Sequence, residues 1–309
     1  MSTKCCACQS NVAKYKDFLP FNANYLQQEW KQESVESYLQ AGALYFCPNC
    51  SLWFRNPYPP SDVIEDLYAK ISDPIWVEPI DKPYWGTIRE IIAVETTGKD
   101  VLDIGCYMGD FLGFMPDDYR KFGIEPSQHA QSVARQRGIT ILGNSIQNVN
   151  LSPESFDAIV MLDVLEHSQF PLEIFTNCCH GLKKGGILIL ATGATETLFF
   201  QLFRQDYWYA NISMHCTFYG LKWFNWITNK LPLEITHYEY FSAGNGSSLY
   251  RFLKTLLIKI LYIVYRRNRH YPGVERLFEM PALRPIPRQM SMPWLIDATD
   301  QLLIILKKV

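Results

Sequence analysis

Between residues 101 and 193, short apolar runs alternate with amphipathic segments, and this constrains the fold of the 309-residue chain more than any other feature. VLDIG (101–105), KFGIE (121–125), ITILG (139–143), the first part of SFDAIVMLDVLEH (155–167) and ILILATG (187–193) read as strands. SQHAQSVARQRG (127–138) and PLEIFTNCCHGLKKGG (171–186) read as the helices between them, the first ended by Gly138. Strands that alternate with helices predict a parallel sheet covered on both faces, an α/β fold. Two helices are expected upstream, SDVIEDLYAK with its Ser–Asp cap and YWGTIREIIAV. Downstream, GLKWFNWITNK reads as a helix, LEITHYEYFS as a strand, and DQLLIILKKV as a final run of strand length.

The first strand runs into the turn Gly105-Cys106-Tyr107-Met108-Gly109. A dinucleotide site needs a glycine at the middle position, where backbone meets pyrophosphate. Tyr107 stands there, and Asp103 at the strand end would repel a phosphate dianion. That acid suits a ligand carrying an ammonium group and no phosphate, which S-adenosylmethionine (SAM) satisfies. Glu125, 22 residues further on, is placed to accept hydrogen bonds from ribose hydroxyls.

With these pieces in order, the chain resembles the class I SAM-dependent methyltransferases from about residue 85 to its C-terminus. VLDIGCYMGDFL matches the family's first motif, GIEPS the ribose-binding acid, SFDAIVMLDVLEH the fourth strand and its loop, and LKKGGILILAT the turn and fifth strand. The resemblance implies a Rossmann-like, seven-stranded class I methyltransferase sheet. It also implies cofactor contacts from Asp103, Gly105, Cys106, Gly109 and Glu125, with Asn144 and Ser145 near adenine and Asp163 lining the cofactor side of the cleft.

Cys5-x-x-Cys8 and Cys47-x-x-Cys50 read as two metal knuckles sharing one tetrahedral Zn2+, 38 residues apart. The other reading is four free buried thiols, and Cys6 could replace Cys5. CPNCSLWFRNPYPPSDVIEDLY resembles the zinc ribbon that precedes the methyltransferase domain of bacterial sugar- and polysaccharide-modifying enzymes. The expected organisation is therefore a zinc ribbon over 1–60, with one structural zinc, and a methyltransferase domain over 61–309. Cys106, Cys178, Cys179 and Cys216 are expected in the core or the cleft rather than as metal ligands.

Methyl transfer from a sulfonium is an in-line displacement, and a hydroxyl or carbon nucleophile also needs a base. Histidine suits that task by its ordinary pKa. His167, in DVLEH, and His215, in WYANISMHCTFYG, are the candidates, each read either as catalytic or as a loop-organising residue. Tyr207, Trp208, Tyr209 and Phe218 either cover the substrate or pack the core.

The formal charge of −2 conceals an asymmetry, because residues 251–290 hold nine Lys or Arg against Glu275 and Glu279. This segment belongs to a basic helical insertion, 244–296, before the last strand. Arg251, Lys254, Thr255, Lys259, Tyr262, Arg266 and Arg269 repeat along one face, and Leu253, Leu256, Leu257, Ile260, Leu261, Ile263 and Val264 fill the other. Such a helix, spanning about 250–269, either packs its apolar face, on the domain or on a second subunit of a homo-oligomer, or lies on an anionic membrane surface. No apolar core segment follows the N-terminus, and nine cysteines in that setting argue for metal or free thiols rather than disulfides. The expectation is a cytoplasmic protein, with peripheral contact at the inner membrane face left open. The basic face is short and carries no nucleic-acid motif, so nucleic acid is not an expected partner. The leading function is methylation of a small molecule or glycan, with O-methylation of a sugar or surface-polysaccharide precursor first. C-methylation of a keto-sugar nucleotide and a non-catalytic SAM-binding or membrane-scaffold role are the rivals.

Overall fold

The structure is a computed structural model, and it describes residues 3–17, 42–69, 82, 84–212, 214–241, 249–268, 270–280, 283 and 300–309. Its thirteen strands are, in chain order, β1 (Thr3–Lys4), β2 (Asn11–Val12), β3 (Lys14–Asp17), β4 (Ala43–Phe46), β5 (Trp53–Asn56), β6 (Asp100–Ile104), β7 (Arg120–Ile124), β8 (Thr140–Gly143), β9 (Phe156–Leu162), β10 (Leu182–Gly193), β11 (Thr217–Phe218), β12 (Leu233–Phe241) and β13 (Gln301–Lys308). Seven of them form one sheet in the order β12-β13-β10-β9-β6-β7-β8. The five strands β8, β7, β6, β9 and β10 run parallel, and β13 pairs antiparallel with both β10 and β12. The alternation predicts the covered parallel strands, and the whole sheet is the Rossmann-like class I methyltransferase fold that the resemblance implies.

The central strands are apolar end to end because both faces of the sheet are covered. On one face Trp85, Ile88 and Ile92 of helix Trp85–Glu95 meet Phe111, Leu112, Val101 and Ile189. On the other, Phe175 and Cys178 of helix Pro171–Gly181 and Trp223 and Phe224 of helix Leu221–Thr228 meet Leu102, Ile159, Leu188 and Ile304. Each fully buried Leu, Ile or Phe contributes about 1.5–3 kcal/mol. Cys178, Cys179 and Cys216 are buried, as core residues should be.

LKKGG departs from its expected helical reading. The helix ends at Gly181, and β10 begins at Leu182, which pairs with Phe156 before a register shift leading to Ile187. A side chain at Gly181 would meet Leu151, and Gly185 takes φ +77, a left-handed conformation natural for glycine. The two glycines thus end the helix and turn the chain into the strand.

The N-terminal cysteines build two matching knuckles. Cys5 N donates to Ser10 O and Gln9 N to Cys5 O; Cys47 N donates to Leu52 O and Ser51 N to Cys47 O. Gln9 and Ser51 both take φ 60, so the two loops repeat one conformation. Strands β1 and β2 pair around the first knuckle. The second sheet runs β11-β5-β4-β3, so Thr217–Phe218 completes the sheet begun by the N-terminal strands. The core is continuous across the same junction, since Cys5, Leu52 and Phe54 belong to one apolar cluster with Tyr219 and Trp223.

Of the expected 244–296 insertion, helix Leu249–Asn268 and helix Pro272–Phe278 are described; residues 244–248, 269, 281–282 and 284–296 lie outside the described residues. The apolar face of the longer helix does not bury as a unit. Leu253, Leu257, Ile260 and Val264 are exposed, while Leu256 packs against Leu44, Trp53 and Phe200.

Candidate functional site

Strand β6 delivers Asp103 to the carboxyl end of the sheet and then turns through Gly105 and Gly109, with φ +77 and +82. A Cβ on Gly105 would lie 2.4 Å from Val164, and one on Gly109 2.1 Å from Ile139, so both are required by close approach as well as by backbone conformation. Tyr107 also takes a positive φ, 47, which turns its N–H toward Glu125. Glu125, just past β7, accepts from Tyr107 N at 2.9 Å and from Ser127 N at 2.8 Å. Burial pushes the Glu125 carboxyl up to about 7, against those two hydrogen bonds. Burial, together with the neighbouring Glu125, also holds the Asp103 carboxyl well above the usual range. Two buried acids beside a left-handed turn fit a ligand that brings a cation and hydroxyls, and oppose one that brings phosphate.

The other residues expected at this end occupy different settings. Cys106 is buried, with its sulfur 2.5 Å from where a Cβ on Gly123 would stand, so only its backbone faces the turn. Ser145 is buried and donates to Gln147 Oε1, whereas Asn144 is exposed beside it. Asp163 follows β9 with φ 58, and its Oδ2 accepts from Lys82 Nζ at 2.9 Å and Tyr84 OH at 3.0 Å. Sequence reasoning passed over Lys82 and Tyr84, which carry no motif.

The two candidate histidines meet. Their ring centroids are 4.8 Å apart and the planes cross at 81°. His215 Nδ1 lies 3.0 Å from Tyr209 O, and His167 Nδ1 lies 3.1 Å from Met214 O. A carbonyl only accepts, so each Nδ1 carries the hydrogen and each Nε2 keeps its lone pair. His215 Nε2 faces Glu166 Oε1 at 3.9 Å, and Glu166 Oε2 accepts from Thr192 at 3.0 Å. Burial holds His167 down to about 4 and His215 well below its ordinary value, and lifts Glu166 to about 7. Around neutral pH the group is therefore two neutral imidazoles beside a carboxyl poised to titrate. His215 is buried and His167 half-buried, so His167 is the more accessible of the two.

The surroundings of this cluster come from the N-terminal unit. Arg55, buried in β5, donates through Nη2 to Ala210 O (2.9 Å) and through Nε to His215 O (3.3 Å). Its backbone N–H donates to Cys216 O at 2.7 Å, and Tyr58 OH donates to Met214 O at 2.6 Å. Tyr68 OH lies 3.1 Å from His167 Nδ1. Glu166 carried a signal, since it adjoins His167 in sequence; Arg55, Tyr58 and Tyr68 carried none. Of the aromatics expected at the cleft mouth, Tyr207, Tyr209 and Phe218 are buried in a cluster with Trp53 and Phe200, which makes them packing residues. The side chain of Trp208 lies outside the described residues.

The four knuckle cysteines also converge. Cys5 Sγ and Cys50 Sγ are 3.6 Å apart, Cys8 Sγ and Cys47 Sγ 3.4 Å, and all four lie within 4.8 Å of one another. These separations are too long for disulfides, at about 2.05 Å. They approach the roughly 3.8 Å edge of a tetrahedron with metal–sulfur bonds of about 2.3 Å. The donor set and the spacing fit Zn2+.

A family model described as a methyltransferase domain matches residues 82–238, half of the chain, from just before helix Trp85–Glu95 into β12. The chain belongs to this family. The methyltransferase domain is 34% identical over 106 residues to a tRNA U34 carboxymethyltransferase of Desulfotalea psychrophila, covering 31% of this chain and 32% of that protein. It is 26% identical over 103 residues to a ubiquinone biosynthesis O-methyltransferase of Aliivibrio fischeri, covering 31% and 44%. The chain thus spans less than half the length of these curated relatives. A solved S-adenosylmethionine-dependent methyltransferase from Mesorhizobium loti superposes with a TM-score of 0.47 at 14% identity, over 74% of this chain and all of the other.

Proposed function

We propose that the protein transfers a methyl group from SAM to a hydroxyl of a small molecule or glycan, a sugar or surface-polysaccharide precursor being the leading acceptor class. The observation that carries this reading is the pairing of a phosphate-averse turn with a neutral base cluster in one methyltransferase domain. SAM would supply an electrophilic methyl on a sulfonium. Asp103, Glu125 and the Gly105–Gly109 turn would hold its ammonium, ribose and methionine parts, Asn144 and Ser145 its adenine, and Asp163 the cofactor side of the cleft.

At the acceptor end, His167 is the group proposed to meet the hydroxyl, because its Nε2 lone pair is free of the hydrogen fixed at Nδ1 and its ring is the more accessible. His215 and Glu166 stand behind it and favour the proton's arrival, the carboxylate by its charge. The Aliivibrio relative, an O-methyltransferase by name, supports oxygen as the methylated atom. The sugar class rests on the resemblance of the ribbon and the methyltransferase domain to enzymes of that kind.

One Zn2+ bound by Cys5, Cys8, Cys47 and Cys50 belongs to the same proposal. Four protein thiolates leave no open position, so its role would be to fix the two knuckles. The test incubates purified protein with methyl-labelled SAM and separate soluble and membrane extracts as acceptor pools. Label in a glycan or nucleotide sugar supports the reading. Label in RNA or in a quinone would replace the acceptor class, and no SAM turnover with any acceptor would sink the enzyme reading.

A further inference from the structure

Helix Leu249–Asn268 lies outside the chemistry described so far, and part of its apolar face is open to solvent. Leu253, Leu257, Ile260 and Val264 are 53%, 56%, 45% and 43% exposed. Steps of four, three and four residues place them on one face. The helix is anchored elsewhere, by Leu256 against the Trp53 and Phe200 cluster and by Tyr265, whose ring stands 4.8 Å from that of Phe278. Helix Leu198–Phe203 contributes two further solvent-facing leucines, Leu198 and Leu202, each 59% exposed. Contiguous apolar surface of this kind marks an interaction site.

Beside the stripe, a cavity of about 520 Å³ opens between this helix, residues 202–205 and strand β3. Leu202, Ile260 and Val264 give it an apolar wall; Lys16, Arg204 and Arg267 give it three cations. No acidic residue lines it among the described residues. Arg204 is held over the Trp53 and Phe200 rings, 5.1 and 5.7 Å from their centroids, and its Nη1 is buried with no hydrogen-bond partner among the described residues. A buried donor in that state lacks an acceptor among the described residues.

We propose that this stripe and groove dock the protein on an anionic lipid surface. Lipid phosphates would lie beside Lys16, Arg204 and Arg267, while the leucines, Ile260 and Val264 enter the headgroup–acyl boundary. Charge selects this occupant over a second copy of the chain, because an isologous pair would set the three cations close to their own duplicates. The net positive charge of residues 251–290 has the same sign. Among the described residues no helix is long and apolar enough to cross a membrane, so the contact is peripheral. This proposal does not depend on the acceptor of methyl transfer.

Full-length protein would be co-sedimented with phosphatidylcholine vesicles, either pure or carrying about 30 mol % phosphatidylglycerol. Binding to the anionic vesicles should exceed that to neutral ones by roughly tenfold. Leu257→Glu with Ile260→Glu, both at exposed positions and so compatible with folding, should reduce binding to the level of neutral vesicles. Lys16→Glu with Arg267→Glu should weaken binding about tenfold and flatten its dependence on salt. Thermal melts accompany each variant to show that it is folded. Equal partition onto both vesicle types, or unchanged binding by the folded leucine–isoleucine variant, overturns the proposal. So does failure to bind vesicles combined with a concentration-dependent dimer, in sedimentation velocity, that Leu257→Glu with Ile260→Glu disrupts; the occupant is then a second copy.

Discussion

At the proposed cofactor end of the cleft, Asp103, Gly105, Gly109 and Glu125 come from a single strand–turn–helix–strand unit. At the proposed acceptor end, Arg55, Tyr58, Tyr68, Glu166, His167 and His215 come from the N-terminal sheet, the segment after it, the loop after β9 and the approach to β11. The first end is local, and its geometry follows from strand direction and two left-handed glycines. The second is tertiary, and it exists only when the N-terminal unit is docked. If the comparison is right, the two ends should fail separately.

The largest effect is expected at the histidines. His167→Ala or His215→Ala should lower kcat about 10²–10⁴-fold, the range of general base catalysis. SAM affinity, by calorimetry, should change no more than about threefold, well under 1.4 kcal/mol. A parallel collapse of SAM binding would erase the separation.

Next comes Glu166. Its folded pKa of about 7 lies above the ordinary 4.5, so the folded state holds this proton more tightly than the unfolded chain does. The stability it contributes is fully present below pH 4.5 and is lost as pH rises through 7. The loss amounts to about 3 kcal/mol at most for this shift. Glu166→Gln should therefore melt higher than wild type at pH 8 and close to it at pH 5, while removing the rise in kcat expected near pH 7. A variant that melts lower at pH 8 would mean that the carboxylate is stabilised there by more than burial suggests.

Glu125→Ala should weaken SAM binding by roughly 10–100-fold, since a charged hydrogen-bonding partner contributes about 1.5–3 kcal/mol. Turnover at saturating SAM should be nearly preserved; a kcat defect as large as that of His215→Ala would join the two ends instead of separating them.

The smallest effect sharpens the comparison most. Arg55→Ala should reduce kcat about tenfold while SAM affinity holds, because it frees the carbonyls of Ala210 and His215. If the cysteine knuckles hold the proposed Zn2+, its removal should have the same signature. If either change weakens SAM binding as much as turnover, the N-terminal sheet supports the whole domain rather than the proposed acceptor end.

The same division explains what could be read from the sequence. Strand alternation and the 105–109 turn carried the sheet, because period and glycine placement are local properties. The cysteine pairs carried the knuckles, since x-x spacing is itself the geometry of the loop. Arg55 was invisible: a lone arginine in WFRN has no pattern until β5 is seen beside β11. Tyr68 and Lys82 were invisible for the same reason. The strand character of LKKGG was hidden because two glycines after an amphipathic run read as a helix end whether or not a strand starts there. Whether the apolar face of helix Leu249–Asn268 packs or stays open was left undecided, as periodicity shows which residues share a face but not which way that face points.

Strand β11 pairs with β5 across more than 160 residues of intervening chain. During synthesis, the N-terminal knuckles can close as soon as Cys50 emerges, but the outer edge of β5 stays unpaired until Phe218 follows. At about 5–20 residues per second, that interval lasts roughly 8–30 s. An open strand edge invites pairing with other chains, so the ribosome-bound intermediate is the stage at which this protein is most exposed to aggregation. Completing this four-stranded sheet is set by long-range closure, and the histidine cluster takes shape only with it, before β13 closes the larger sheet.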